Sequence, residues 1–322
     1  MRHFRKIMVI IEPKQMRQVA LERAMALAHT GKGTHEIIAV MPINETAGNI
    51  TSVLSIQNEE ERKAAAIKKG EKWLQAYLSI HAMGFEIKTE VIWSKSVGKD
   101  ITRLAHQEGV DLLIKAHEVH GMLDSVLFTP LDWQLLRHAP VPVLVAKDHI
   151  WHPTGTIAVA LNMSDPDDVV TRMSHIRLLR EAQELSRMMH AEIHLLTAIP
   201  PLVPPASIDL PGFTPDLLGD AALKEGCKAV LSFAARHKIP AEYCHIREGQ
   251  PDEVIPTLCA ELNPTVLFIG TSARKGVAVA LVGNICERVT DNLDCDVAVI
   301  TPKAVIERMP VSSEFISENM AP

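Results

Sequence analysis

Residues 265–289, TVLFIGTSARKGVAVALVGNICERV, set the architecture. The apolar run at 266–269, bounded by polar residues and a glycine, has the pattern of a strand buried on both faces of a parallel sheet. A loop of small and basic residues follows: Gly270, Thr271, Ser272, Ala273, Arg274, Lys275 and Gly276. Gly283-Asn284 then opens a segment with Ile285, Cys286 and Val289 at helical spacing. This order suits phosphate, because a helix N-terminus offers unpaired N–H groups and partial positive charge while glycines let the backbone come close. Arg274 or Lys275 adds charge. The same residues suit equally well a plain turn with an N-cap.

Outward from this stretch, strands and helices alternate. A strand at 7–11, ended by Glu12-Pro13, leads to a helix at 16–29 stopped by Gly31 and Gly33. A strand at 37–41, a helix at 59–78, a strand at 85–93, a helix at 98–108 and a strand at 111–114 follow. A helix at 130–138 and a strand at 143–146 close this pass. From 156 the order begins again, with strands at 157–161, 193–198, 242–246, 266–269 and 297–300 and helices at 177–189, 220–237 and 249–261. Asn162 stands where Glu12 stood. Alternation implies right-handed crossovers and a parallel sheet, and two similar passes favour a tandem duplication over one large sheet. The domains fall at 1–148 and 156–303, with a linker at 149–155 and a mobile tail at 304–322. Where the second pass has Gly270, Ala273, Gly276 and Gly283-Asn284, the first has Lys115, Glu118, Gly121 and Thr129-Pro130. Lys115 in the glycine's place and the negative charge of Glu118 predict a degenerate phosphate loop in the first domain.

Composition narrows the function. Of 322 residues, 47% are hydrophobic but only 4% aromatic, so the core is aliphatic, as in α/β proteins. A net charge of −6 argues against general nucleic-acid binding. Cys227, Cys244, Cys259, Cys286 and Cys295 form no Cys-x-x-Cys pair and read as reduced, mostly buried thiols of a cytosolic protein. The N-terminal apolar run stops at Glu12, too soon for a signal peptide, and no segment is long and apolar enough to span a bilayer. The expectation is a soluble, cytoplasmic protein.

Other candidates weaken on inspection. His117-Glu118-Val119-His120 spaces its histidines three apart rather than four and reads as a loop. Asp165, Asp167 and Asp168 after Ser164 read as a turn and helix start. No nucleophile, base and oxyanion donor pair up, and Gly31-Lys32-Gly33-Thr34 lacks the preceding glycine of a Walker A loop, so no catalytic or metal-binding residue is assigned. In the proline-rich 200–215, Leu202, Val203, Ile208, Leu210 and Phe213 are apolar within a long loop. That loop packs over the other half or a second subunit, or else forms a groove for an elongated apolar ligand.

The double pass, GTSARKG followed by GNICERV, and LLRHAPVPVLVAK closing the first pass together resemble the universal stress protein family in its tandem two-domain form. The resemblance covers the chain up to Pro302. It implies an α/β protein of two flavodoxin-like or Rossmann-like domains, each a five-stranded parallel sheet with helices on both faces, packed as an internal dimer. It implies a non-enzymatic stress-response protein acting through a protein partner or small ligand, with homodimerisation compatible. In members that bind ATP, an acid ending the first strand meets the adenine, and a glycine loop with a final Gly-Ser or Gly-Thr holds the phosphates. Carried across, Asn162 takes the acid's place, Gly270 and Gly283 keep two glycines, Ala273 replaces one and Asn284 replaces the hydroxyl residue; Arg274 and Gly276 of the same loop complete the candidate set. Ala273 adds a methyl group at a close approach, whereas Asn284 still caps a helix. ATP is the cofactor this set admits, with weak hydrolysis as the alternative activity.

Overall fold

The structure is a computed structural model and describes residues 4–31, 35–44, 59–117, 130–152, 154–163, 168–201, 215–271 and 284–301. The first half runs β1 (Lys6–Ile10), α1 (Val19–Thr30), β2 (Glu36–Asn44), α2 (Glu59–His81) and β3 (Ile87–Ser94). It continues with α3 (Val97–Gln107), β4 (Leu112–Ala116), α4 (Pro130–His138) and β5 (Val143–Ala146). The second half runs β6 (Ile157–Ala160), α5 (Val169–Met189), β7 (Ile193–Ile199), α6 (Pro215–Arg236) and β8 (Cys244–Glu248). It ends with α7 (Pro251–Leu262), β9 (Val266–Gly270), α8 (Asn284–Asp291) and β10 (Asp296–Ile300). α5 begins earlier than expected because Asp168 caps it, its carboxylate accepting the Thr171 N–H at 2.8 Å. Among the described residues no helix is long and apolar enough to cross a membrane.

Side chains alternate along each strand, so every strand feeds two cores. Ile7 and Val9 of β1 join Leu21 of α1, Leu74 of α2, Leu178 of α5 and Val230 of α6 on one face. Met8 and Ile10 join Ile101 of α3, Leu135 of α4, Val254 of α7 and Val289 of α8 on the other. Each half is a parallel five-stranded sheet with helices on both faces, as expected.

The two halves are nonetheless one sheet of ten strands, in the order β3-β2-β1-β4-β5-β10-β9-β6-β7-β8. Duplication and a single large sheet, set against each other above, coexist. The physical reason is edge satisfaction: β5 and β10 would each present unpaired N–H and C=O groups, and antiparallel pairing of Val145, Leu144 and Val143 with Val297, Ala298 and Val299 fills them. The outer edges, β3 and β8, carry exposed charged residues such as Glu90 and Arg247.

Polar groups lock this seam. Asp296, with no solvent exposure, takes Arg23 Nε at 2.8 Å, the Lys147 N–H at 2.8 Å and His149 Nε2 at 2.8 Å. Arg23 also donates to the carbonyls of Lys147 (2.9 Å) and His149 (2.7 Å) and lies 5.3 Å from the centroid of Trp151. Arg177 of α5 mirrors Arg23 of α1, donating to Thr301 O at 2.6 Å and, across the seam, to Pro140 O at 3.4 Å. Lys147 Nζ donates to the carbonyls of Thr290 and Leu293 at the end of α8. Asp296→Ala leaves the Arg23 guanidinium buried without its carboxylate and is expected to cost about 3–5 kcal/mol, read as a lowered urea midpoint.

Candidate functional site

Backbone pairing fixes which residues of the halves correspond. Ile7 pairs with Leu112 and Val9 with Ile114, as Ile157 pairs with Val266 and Val159 with Phe268. The His117 N–H bonds Ala146 O at 2.8 Å, as the Thr271 N–H bonds Ile300 O at 3.1 Å. Gly270 therefore corresponds to Ala116, and Ile269 to Lys115. This corrects the expectation that Lys115 stands in the glycine's place. A slip of one residue along a strand turns the side chain to the opposite face, and Lys115 points into a core rather than across the strand ends.

There it forms a closed ion cluster. Lys115 is 2% exposed, and its Nζ lies 2.8 Å from Glu12 Oε1 and 3.0 Å from Asp132 Oδ1 in the first turn of α4. α4 begins at Pro130 and α8 at Asn284, so Asp132 corresponds to Cys286, as Glu12 does to Asn162. The second half thus carries Asn162, Ile269 and Cys286 where the first carries an acid, a base and an acid. Two of these second-half residues, Ile269 and Cys286, are packed in the apolar core. Glu12, just beyond the end of β1, is engaged by Lys115.

In the second half, β9 lies between β6 and β10, so Asn162 and Gly270 both lie at the carboxyl edge of neighbouring strands, where open α/β sheets take ligands. A Cβ at Gly270 would meet only Ile300 O, at 4.0 Å, so no described neighbour requires a glycine there. The space between Gly270, Arg177, Leu178 and Ile300 is about 10 Å³. Asn284 opens α8. Ala273, Arg274, Gly276 and Gly283 lie outside the described residues, as do Glu118 and His120. So do Leu202, Val203, Ile208, Leu210 and Phe213.

Sequence reasoning missed His175. It is 8% exposed, its Nε2 accepts the Asn162 N–H at 3.3 Å, and its ring meets Phe233 edge-on at 6.2 Å. Burial pushes its pKa down to about 4, so the ring is neutral at physiological pH. It lines a cavity of about 270 Å³ between α5 and α6. Cys259 is also buried; a hydrogen bond with Cys295 and desolvation raise its pKa, which removes thiolate character. Among the described residues no group of three or more His, Cys, Asp or Glu is placed to hold a metal ion.

The universal stress protein family model matches residues 3–147 and 170–301. Universal stress protein E of Photorhabdus laumondii is 34% identical over 306 residues, covering 94% of this chain and 96% of the relative. Universal stress protein E of Escherichia coli is 32% identical over 302 residues, covering 93% and 94%. A solved putative universal stress protein from Pseudomonas aeruginosa is 28% identical with a TM-score of 0.69, covering 94% of this chain and 95% of that one. A universal stress protein from Archaeoglobus fulgidus shares the fold at 18% identity and a TM-score of 0.60, covering 92% and 96%.

Lys115→Met leaves two carboxylates facing one another in a buried site and is expected to cost about 3–5 kcal/mol in urea unfolding. The triple variant Glu12→Asn, Lys115→Ile, Asp132→Cys, which installs the second half's set, recovers most of that loss; a triple variant as unstable as Lys115→Met would contradict the correspondence. For His175 the folded pKa lies below the ordinary value of 6.5, so the unfolded chain binds more protons as pH falls from about 6.5 to about 4, and stability drops across that window. Between pH 7 and pH 4.5 the wild type is expected to lose about 2–3 kcal/mol more than His175→Phe.

Proposed function

The chain belongs to the universal stress protein family, and we propose that it acts in the cytoplasm as a non-enzymatic stress-response protein that works by binding, with its second half as the ligand-bearing one. The observation that supports this reading is the contrast between corresponding positions. In the first half Lys115 engages both Glu12 and Asp132, in a site where the acid would otherwise face a ligand. In the second half no such charges stand at the matched positions, and among the described residues a Cβ at Gly270 would meet only Ile300 O, at 4.0 Å. Selection for a packed, self-contained first half and a ligand-facing second half accounts for both sets.

ATP is the ligand that the second-half loop suits best, through Asn162, Gly270, Ala273, Arg274, Gly276, Gly283 and Asn284, and slow hydrolysis there is the alternative reading. Calorimetry with ATP and Mg²⁺ on the full chain, alongside a phosphate-release assay, separates the two. Under the binding reading ATP titrates without phosphate release, Gly283→Asp weakens binding roughly tenfold or more, and Lys115→Met leaves the affinity unchanged. Phosphate release that disappears in Gly283→Asp replaces this reading with the ATPase one. No heat at millimolar ATP removes nucleotide from the account and leaves a different ligand or partner.

A further inference from the structure

The cavity between α5 and α6 has a graded chemistry from floor to mouth. Its floor includes the His175 imidazole, whose Nε2 accepts the Asn162 N–H. A neutral ring with Nε2 as acceptor carries its one proton on Nδ1. Among the described residues no group accepts that proton, although the side chain is 8% exposed. Nδ1 is not sealed from solvent, so this N–H faces the cavity, where water or an acceptor atom of a ligand can take the hydrogen bond. Beside the ring stand Met163 and Phe233, the latter edge-on to it.

At the mouth the character changes. Arg172 comes from α5 and Lys228 and Arg236 from α6, against a single carboxylate, Glu225. Among the described residues none of these three cations is held in an ion pair. Two helices therefore bring positive charge to one opening above an apolar wall and the His175 N–H. Guanidinium groups match carboxylates in a planar, two-point geometry that a lysine alone does not provide. At about 270 Å³ the cavity falls just under the roughly 300–1,000 Å³ of sites for drug-sized ligands, which sets the occupant's scale.

We propose that this cavity binds a small aromatic organic acid, with its carboxylate at Arg172, Lys228 and Arg236, its ring against Phe233 and Met163, and a second oxygen accepting the His175 Nδ1–H. The proposal rests on the reading of the second half as the ligand-bearing one, but it places the ligand between two helices and away from the glycine loop. The ligand is bound, not transformed. Three probes of one shape test it on the full chain: 4-hydroxybenzoate has both the charge and the second oxygen, benzoate lacks the second oxygen, and 4-hydroxybenzamide lacks the charge.

Calorimetry, with the Met163 methyl resonance as the local reporter, is expected to show saturable binding of 4-hydroxybenzoate. Benzoate and 4-hydroxybenzamide bind roughly tenfold or more weakly, the loss typical of one charge-assisted hydrogen bond or ion contact. Arg172→Glu and Arg236→Glu, both at exposed positions that do not support the core, each weaken 4-hydroxybenzoate by a similar factor. His175→Phe abolishes the preference for 4-hydroxybenzoate over benzoate while the charge requirement stays. Equal binding of acid and amide, charge reversals without effect, or no saturation up to millimolar probe overturns the proposal. Gly283→Asp leaves acid binding unchanged, so a failure here leaves the ATP reading standing, and a failure of ATP binding leaves this site standing.

Discussion

Asp296 has no contact with solvent and must be matched inside the protein. A buried carboxylate left alone would take up a proton or unfold its surroundings. Here a guanidinium from α1, an imidazole and a backbone N–H from the segment after β5 all converge on it. Those partners come from the first half and the start of the linker and the carboxylate from the second half, so the charge is satisfied only when β5 and β10 lie side by side in the observed register. Hydrophobic burial at the seam is indifferent to a slip along the strands, since Val143, Leu144 and Val145 would meet similar neighbours one step away. The ion cluster is not, because its geometry fixes one alignment.

The same kind of interaction has an opposite role within the first half. Lys115 sits in an apolar strand, LLIKA, and draws Glu12 and Asp132 toward it. The cluster joins the ends of β1 and β4 to the start of α4, the elements that in the second half surround Asn162 and Gly270. Apolar residues at two of the three matched positions, Ile269 and Cys286, make the second half's version a packing contact. The first half thus closes this position with charge, and the second half closes its counterpart partly with apolar packing.

Much of this was legible in the sequence. Strand runs such as VLVA and VLFI, the proline opening the helix at 130 and the repeated order of elements located the sheet and its duplication, since burial on both faces leaves a continuous apolar signature. The correspondence of Lys115 was misread by one position because spacing across the loop was matched to glycines, whereas hydrogen-bond register counts strand residues. The signal was present: a lysine inside an otherwise apolar strand requires a buried carboxylate. Asp132 was hidden because an acid in a first helical turn already has a role against the helix dipole. His175 was missed because the apolar residues before it, Val169, Val170 and Met173, lie on the exposed side of α5 and do not mark its buried face, and its place next to Asn162 arises from three-dimensional packing. The seam was invisible for a related reason, since Arg23 and Asp296 are separated by most of the chain.

Joining β5 to β10 within a single polypeptide has a consequence for inheritance. Two identical subunits paired through these strands would associate in proportion to their concentration, and each would carry the same residues at the end of its first strand. In a fused chain the pairing is intramolecular and holds at any dilution. A substitution then alters one copy without altering the other. Glu12, Lys115 and Asp132 can accumulate on one side while Asn162, Ile269 and Cys286 persist on the other, a division of labour that no symmetric dimer encoded by one gene copy can express.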